Sequence, residues 1–514
     1  ARNEETIFRN GHLSRSPFSQ MIRVVLTRAL TGLTKWRRRT IISNMSRVVA
    51  VLCVLALAPC SCSGSTSERG GTGLANSTAS GGSNVDSESS AADPSSGETD
   101  SYGTSSSTSG SAESGAVTTA DGGIKFDASG GANTAGNSGG DCDCGNRDWS
   151  YLWTANSDNG GANPNSDEGT VSKVDTRTLT EEGRYLARPD GLGSPVGTSV
   201  SIDGKAVAVA NSNVGIVKIW ARPEFCKGGN TSTGKNDVKA WGQEDCVAWF
   251  IDFPGKTVQR AVQWTSGTFN PATCQYEHQK IWTTTAAMGW TPGWCGPSGV
   301  WVHRLDGDTG AVEHELHLPE EVYGCRGDGD YGWGPWGGAV DAEGNFWIYS
   351  RDTLQLARID FDTLAYKIFS GGDLGIAVDT RNRLWTTEVR RFDYATGIWA
   401  SAMNNLNVGS GIAQDFQGRM WVTGGVGAAG TIHHLTWMDM ETLAIGDTIM
   451  LPSEIASLSV DIDGYIWAVD FVSTAYKIHP DSYLIESYDG LTYPNTYSDM
   501  TGGALNNVTC DPAG

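Results

Sequence analysis

Glu388, in the segment Leu384-Trp-Thr-Thr-Glu388, is a carboxylate placed three residues beyond a repeated Trp, where it could act as a general base or hold a divalent cation. A second chemical candidate is the loop Cys325 to Trp336, in which Asp328 and Asp330 alternate with glycines and are followed by Trp333 and Trp336. Indole rings stack on sugar faces, and the two carboxylates could accept hydroxyl hydrogen bonds or hold Ca²⁺. Trp290 and Trp294 in Gly289 to Cys295 repeat that aromatic theme; Asp470, like Asn156, Ser350 and Gly424, stands three residues beyond a Trp as Glu388 does, and Arg351 and Asp352 are expected on the same face. Each of these has a structural reading beside the functional one, namely a solvated carboxylate for Glu388 and Trp packing within a Gly-rich, disulfide-fixed loop for the others.

Other arrangements carry less. Asp306-Gly-Asp308-Thr-Gly310 has the look of a calcium loop, but glycine fills the next alternate ligand position and His317 stands where the closing bidentate carboxylate belongs, so a hairpin turn is expected. His433 and His434 are neighbours on an expected strand and point to opposite faces. No phosphate-binding loop and no G-x-S-x-G elbow occurs.

The elements that must position these residues are legible as repeats. Gly338 to Trp347, Ile376 to Trp385, Ile412 to Trp421 and Leu458 to Trp467 align without gaps, each with Asp at its fourth position, Gly or Asn at its seventh and Trp at its tenth. Asp accepts backbone hydrogen bonds at the start of a hairpin turn, and Gly or Asn takes the left-handed conformation at its end. The Trp residues are 38, 36 and 46 positions apart, the period of propeller blades. A second turn code, Lys/Arg-x-Asp-x-x-Thr/Ser, recurs at Asp175, Asp306, Asp360 and Asp393, with His479 replacing Asp in the last copy. Two hairpins in series make four antiparallel strands, so an all-β fold is expected: a seven-bladed β-propeller of four-stranded antiparallel blades over 148–514, after a disordered N-terminal region. Blades are expected at 150–187, 196–253, 260–318, 337–369, 374–402, 410–450 and 456–488, with Met500 to Leu505 as a lone innermost strand closing the ring. Eight cysteines follow residue 140; expected pairs are Cys226 with Cys246 and Cys274 with Cys295, and ring closure would bring Cys510 near Cys142 and Cys144.

These motifs resemble those of the streptogramin B lyase and NHL-like propellers, whose blades read G-I-A-V-D-x-x-G-x-L-W-F-T-E, with Gly375 to Glu388 the closest copy. The chain is also similar to exported bacterial propeller lipoproteins carrying a Gly/Ser-rich stalk. The resemblance implies a propeller and, as one reading, a metal-assisted lyase acting on an ester-closed cyclic peptide, with Glu388 as its acid or base and Mg²⁺ or Ca²⁺ as the cation. The lyases place histidine near the start of inner strands, whereas Asp373-Leu-Gly, Val408-Gly-Ser and Glu454-Ile-Ala have none. Binding is therefore the favoured role, with lyase or hydrolase activity the alternative.

The N-terminal part sets the expected location. Residues 1–44 read as an over-extended gene start or a long basic region, with Arg38-Arg39 as a weaker twin-Arg export signal. Residues 45–59 read as a signal peptide, whose apolar run Val48 to Ala58 is short for a membrane span. Leu57-Ala-Pro-Cys60 resembles a lipoprotein signal with Cys60 as the acylated residue. Residues 60–147 then form a linker: 63–140 hold 20 Ser, 17 Gly and 9 Thr, too little apolar surface to offset chain ordering. Ten of 37 Lys and Arg but two of 58 Asp and Glu precede Cys60, so the rest of the chain is strongly acidic and nucleic acid is an unexpected partner. The expected location is the bacterial cell envelope, as an outer-membrane or surface lipoprotein, or else the periplasm or exterior. The expected partner is an envelope glycan, peptide or protein, with contact to the membrane only through the lipid.

Overall fold

In the computed structural model the described residues are 147–157, 169–287, 299–319, 323, 334–351, 353–372, 374–402, 406–426 and 433–510. Within them, six blades have four antiparallel strands of their own and a seventh has three. Blade 1 is Tyr151–Asn156, Thr170–Asp175 and Thr180–Leu186. Blades 2 to 7 begin with the inner strands Pro195–Val200, Val258–Trp264, Pro335–Val340, Ile376–Val378, Leu406–Gln414 and Ile455–Val460. Consecutive inner strands contact one another around the ring, which is the propeller expected from the repeats.

Both turn codes do what their chemistry suggests, and more. Asp379 Oδ1 accepts the N–H groups of Arg381 and Arg383, while Oδ2 accepts the indole N–H of Trp385 at 2.8 Å. Asp415 with Trp421 and Asp461 with Trp467 repeat that 2.8 Å contact, and Asp341 with Trp347 does so at 3.3 Å. The six-residue spacing from Asp to Trp is thus a side-chain hydrogen bond across the hairpin, with the indole buried between blades. A buried carboxylate needs such partners, because an unpaired one is strongly disfavoured. Asp306 heads a hairpin turn, as expected, its Oδ1 receiving Thr309 N–H and Oγ–H. Burial works to raise its carboxyl, but Lys280 and Thr309 outweigh that and hold it at about 2.

The cations of the second code join neighbouring blades. Lys173 Nζ of blade 1 donates to the Ala221 carbonyl of blade 2 at 2.9 Å, and Lys218 of blade 2 donates to Gly307 of blade 3 at 2.8 Å. Arg304 reaches the Phe361 carbonyl of blade 4 and Arg391 that of Met440 in blade 6. Arg358 instead lays its guanidinium 4.1 Å from the Tyr394 ring centroid of blade 5. In blades 1 to 5 one position therefore spans the gap to the next blade.

Ring closure differs in register from the expectation. The C-terminal stretch 494–500 fills the missing innermost place of blade 1: Pro494 bridges Asn156, Asn495 N–H donates to Ala155, and Trp153 N–H donates to Met500. Tyr497–Ser498 also run parallel to the inner strand of blade 2. The expected strand Met500 to Leu505 is instead the end of this segment followed by the helix Gly503–Cys510. The reason is local. Asp499 accepts the N–H groups of Thr501, Gly502 and Leu505, which starts a helix, and a Cβ on Gly503 would fall 2.0 Å from the Val460 carbonyl oxygen. Two ion-pair networks tie the periphery of the same seam. Arg177 of blade 1 grips Asp463 of blade 7 at 2.6 and 2.9 Å, and Glu181 holds both Arg184 and the Tyr488 hydroxyl.

The pair Cys226–Cys246 is a disulfide, as expected, and closes an insertion in blade 2. That insertion lies along the outer strand of blade 1, where Ser232 Oγ accepts Arg184 N–H, so it covers a sheet edge. Cys274 and Cys510 are disulfide-bonded as well; their expected partners Cys295, Cys142 and Cys144 lie outside the described residues.

Candidate functional site

The Asp-headed turns lie on one face of the ring, and the starts of the inner strands lie on the other, at the mouth of the central channel. On the turn face the channel is closed by the helix Gly503–Cys510, where Asn507 Nδ2 donates to the Gln414 carbonyl and Thr501 Oγ1 to that of Val460. Between helix and mouth is a cavity of ≈ 60 Å³ with Gln263, Ser410, Ser459, Tyr497 and Asp499 among its lining residues. That is room for a few waters, so a larger ligand would engage the mouth.

At the mouth Trp336 is almost fully buried, with its ring centroid 5.1 Å from that of Tyr497. Two guanidinium groups face the same indole, Arg260 at 4.3 Å and Arg351 at 5.0 Å from its centroid. Burial pushes the Tyr497 hydroxyl up, against the pull of Arg260 and Arg351. Trp336 is thus enclosed by Tyr497, Arg260 and Arg351, an arrangement that corresponds to the packing reading of this residue.

The positions three residues beyond each repeat Trp divide sharply. Asp470 is buried, and its Oδ1 accepts the N–H groups of Val472, Ser473 and Thr474 at 2.8 to 2.9 Å. Asn156 donates to Thr170 and Ser172 and accepts from Thr492, and Ser350 accepts from Thr353 at 3.4 Å. These three build loops. Glu388 does not: it sits in the turn Thr386 to Val389 with its side chain 48% exposed, 3.5 Å from Arg390, whose guanidinium lies 4.4 Å from the Trp399 centroid. Of the remaining expected site residues, Asp328, Asp330, Trp333, Asp352, Trp290 and Trp294 lie outside the described residues, as does Cys60.

Among the described residues no three His, Cys, Asp or Glu side chains converge as a metal site would require. The charged neighbour of Glu388 is a guanidinium, so the described surroundings of Glu388 do not fit Mg²⁺ or Ca²⁺. Sequence reasoning missed Lys218, which is nearly fully buried, with Nζ 3.9 Å from the Trp220 centroid and 5.3 Å from that of Trp264. Burial pulls its ammonium down to about 8, against the nearby carboxylates of Asp308, Asp203 and Asp306. Its repeat position should have revealed it, but the insertion after Trp220 replaces the Asp-x-x-Thr turn that marks the other copies.

No family model matches this chain, and no curated protein matches it. Among solved structures it is similar to a virginiamycin B lyase from Staphylococcus aureus solved with quinupristin, at 14% identity and TM-score 0.39, over 58% of this chain and 84% of that one. It is similar to a streptogramin B lyase at 14% identity and TM-score 0.38, over 68% and 92%. A Lactobacillus plantarum protein gives 11% identity and TM-score 0.42, over 68% and 98%. Likeness at this level carries no argument about activity, and the fold rests on the sheets described above.

Proposed function

We propose that this chain is an exported, lipid-anchored β-propeller that binds a glycan, peptide or protein of the bacterial cell envelope through the mouth face. The observation that carries this reading is the asymmetry of the channel. A helix fills its turn-face end, while the mouth presents Arg351 and the exposed Glu388. A rigid ring with divergent residues at one face is how propellers present binding loops. The Gly/Ser-rich linker would hold that ring on the order of 50 Å from Cys60, long enough to reach outward from a membrane.

The test is retention on purified cell-envelope fractions. The intact protein should bind, and Arg351→Ala and Glu388→Ala should each weaken retention without lowering thermal stability. Metabolic labelling with palmitate, lost in Cys60→Ser, checks the anchor. The exposure of Glu388, alone among the polar members of its equivalent set, favours as a second reading an elimination with Glu388 as the base. Incubation with an ester-closed cyclic peptide would then give a ring-opened product of unchanged mass that Glu388→Ala fails to make. No turnover would remove that alternative.

A further inference from the structure

The channel cavity is lined by side chains whose spare hydrogen-bonding capacity is mostly acceptor capacity. Ser410 spends its proton on the Ala456 carbonyl at 2.7 Å. Ser459 spends its own on Thr501 at 2.7 Å or on Asp499 at 3.2 Å, since Thr501 gives its proton to the Val460 carbonyl. Asn507 donates its amide to the Gln414 carbonyl, and its Oδ1 accepts from no described residue although Asn507 is only 6% exposed. Ser457, 3% exposed, has a hydroxyl without a hydrogen-bond partner among the described residues. A buried hydroxyl or amide oxygen left in that state is disfavoured, so this lining calls for an occupant that donates or carries positive charge.

Charge narrows the choice. Asp499 is the one carboxylate in the lining, it is buried, and among the described residues it makes no ion pair. Its Oδ1 accepts the Gly502 N–H at 2.8 Å and the Thr501 N–H at 3.3 Å, whereas its Oδ2 has only the Leu505 N–H at 3.3 Å. The field of Arg147 reaches it, but that guanidinium is bonded to the carbonyls of Ile202 and Thr501. Buried carboxylates are ordinarily paired or coordinate a cation. At the other end of the cavity Arg260 and Arg351 face Trp336 beside Tyr497, so a cation belongs at the Asp499 end. A divalent ion takes several carboxylates, and the described residues bring no such group together. One carboxylate with neutral oxygens suits a monovalent ion, in a space of ≈ 60 Å³ that admits it with a water or two.

We propose that the channel binds one monovalent cation of the size of Na⁺ or K⁺, held by Asp499, Asn507 Oδ1 and the hydroxyl oxygens of Ser457 and Ser459, with water completing its shell. Asp499 and Asn507 belong to the closing segment and its helix, while Ser457 and Ser459 belong to the inner strand of blade 7. The ion therefore clamps the last segment of the chain to the ring that it closes, and does so independently of what the mouth binds.

Amide hydrogen exchange of the intact chain tests this at one pH in NaCl, KCl or choline chloride of equal ionic strength, choline being too large to enter. With the ion at about ten times its dissociation constant, protection of 503–510 should be about tenfold greater in NaCl or KCl than in choline chloride. Amides of Leu384–Thr386 in blade 5, remote from the site, should not share that gain. Ser457→Ala removes a hydroxyl that bonds to nothing described, so the variant should fold as the wild type does in choline chloride yet cut the gain to about threefold or less. Asp499→Asn, which keeps an oxygen for the turn but loses the charge, should abolish the gain. A general salt effect would survive in Ser457→Ala unchanged, and that result would overturn the site. Equal protection of the wild type in all three salts would do so too, leaving water as the occupant.

Discussion

The two faces of this ring are built from the same strands and follow opposite rules. On the turn face each aligned blade repeats one device, an Asp that closes its hairpin and holds the Trp six residues on. On the mouth face the equivalent positions hold Asn156, Ser350, Glu388, Gly424 and Asp470, three of which build loops in their own ways and one of which faces solvent. The difference separates scaffold from site within a single sequence. Where the same burial problem recurs, the same residues solve it; where blades diverge, packing is no longer the deciding term.

Substitutions can break that contrast in order of size. Trp385→Ala removes a fully buried indole and leaves Asp379 short of a donor, so a loss of about 3–5 kcal/mol is expected in chemical denaturation. Asp415→Ala should cost nearly as much, since it strips acceptors from Trp421 and two backbone N–H groups and removes one of the two carboxylates that pair with Arg419. Lys218 gives a pH test of smaller size. Its folded pKa of about 8 lies below the unfolded value of about 10.4, so the unfolded state binds more protons between them and stability should rise with pH through that window. From pH 8 to 9.5 the gain should be about 1.5 kcal/mol, and Lys218→Met should flatten it. Glu388→Ala, on an exposed turn, should change stability by less than about 0.5 kcal/mol, which a thermal melt would show.

The sequence made the turn face legible because its chemistry is local. Asp and Gly at fixed spacing announce a hairpin, four copies announce a repeat, and the repeat length announces blades. Cys226 and Cys246 were legible for the same reason, being close in sequence and bracketing an insertion. The Asp–Trp bond was present in the spacing but invisible as a contact, since it depends on two strands lying side by side. The helix Gly503–Cys510 was not legible. Thr501-Gly-Gly-Ala-Leu505 opens with two helix-weakening glycines, and what starts the helix is Asp499 buried under blade 7, a tertiary circumstance. Lys218 was hidden because an insertion overwrote its turn. The mouth was legible only as a set of divergent positions, because which of them builds a loop and which meets solvent is decided by partners far away in sequence, such as Thr492 for Asn156.

On the proposed function the mouth face binds and the turn face holds. That division is tested most directly by retention of the intact protein and paired surface variants on cell-envelope fractions, with thermal stability measured on the same samples. Arg351→Ala and Glu388→Ala at the mouth should lower retention at unchanged stability, while Glu343→Ala and Asp308→Ala, both exposed on the turn face, should leave it intact. Retention lost by the turn-face pair and kept by the mouth pair would contradict the account.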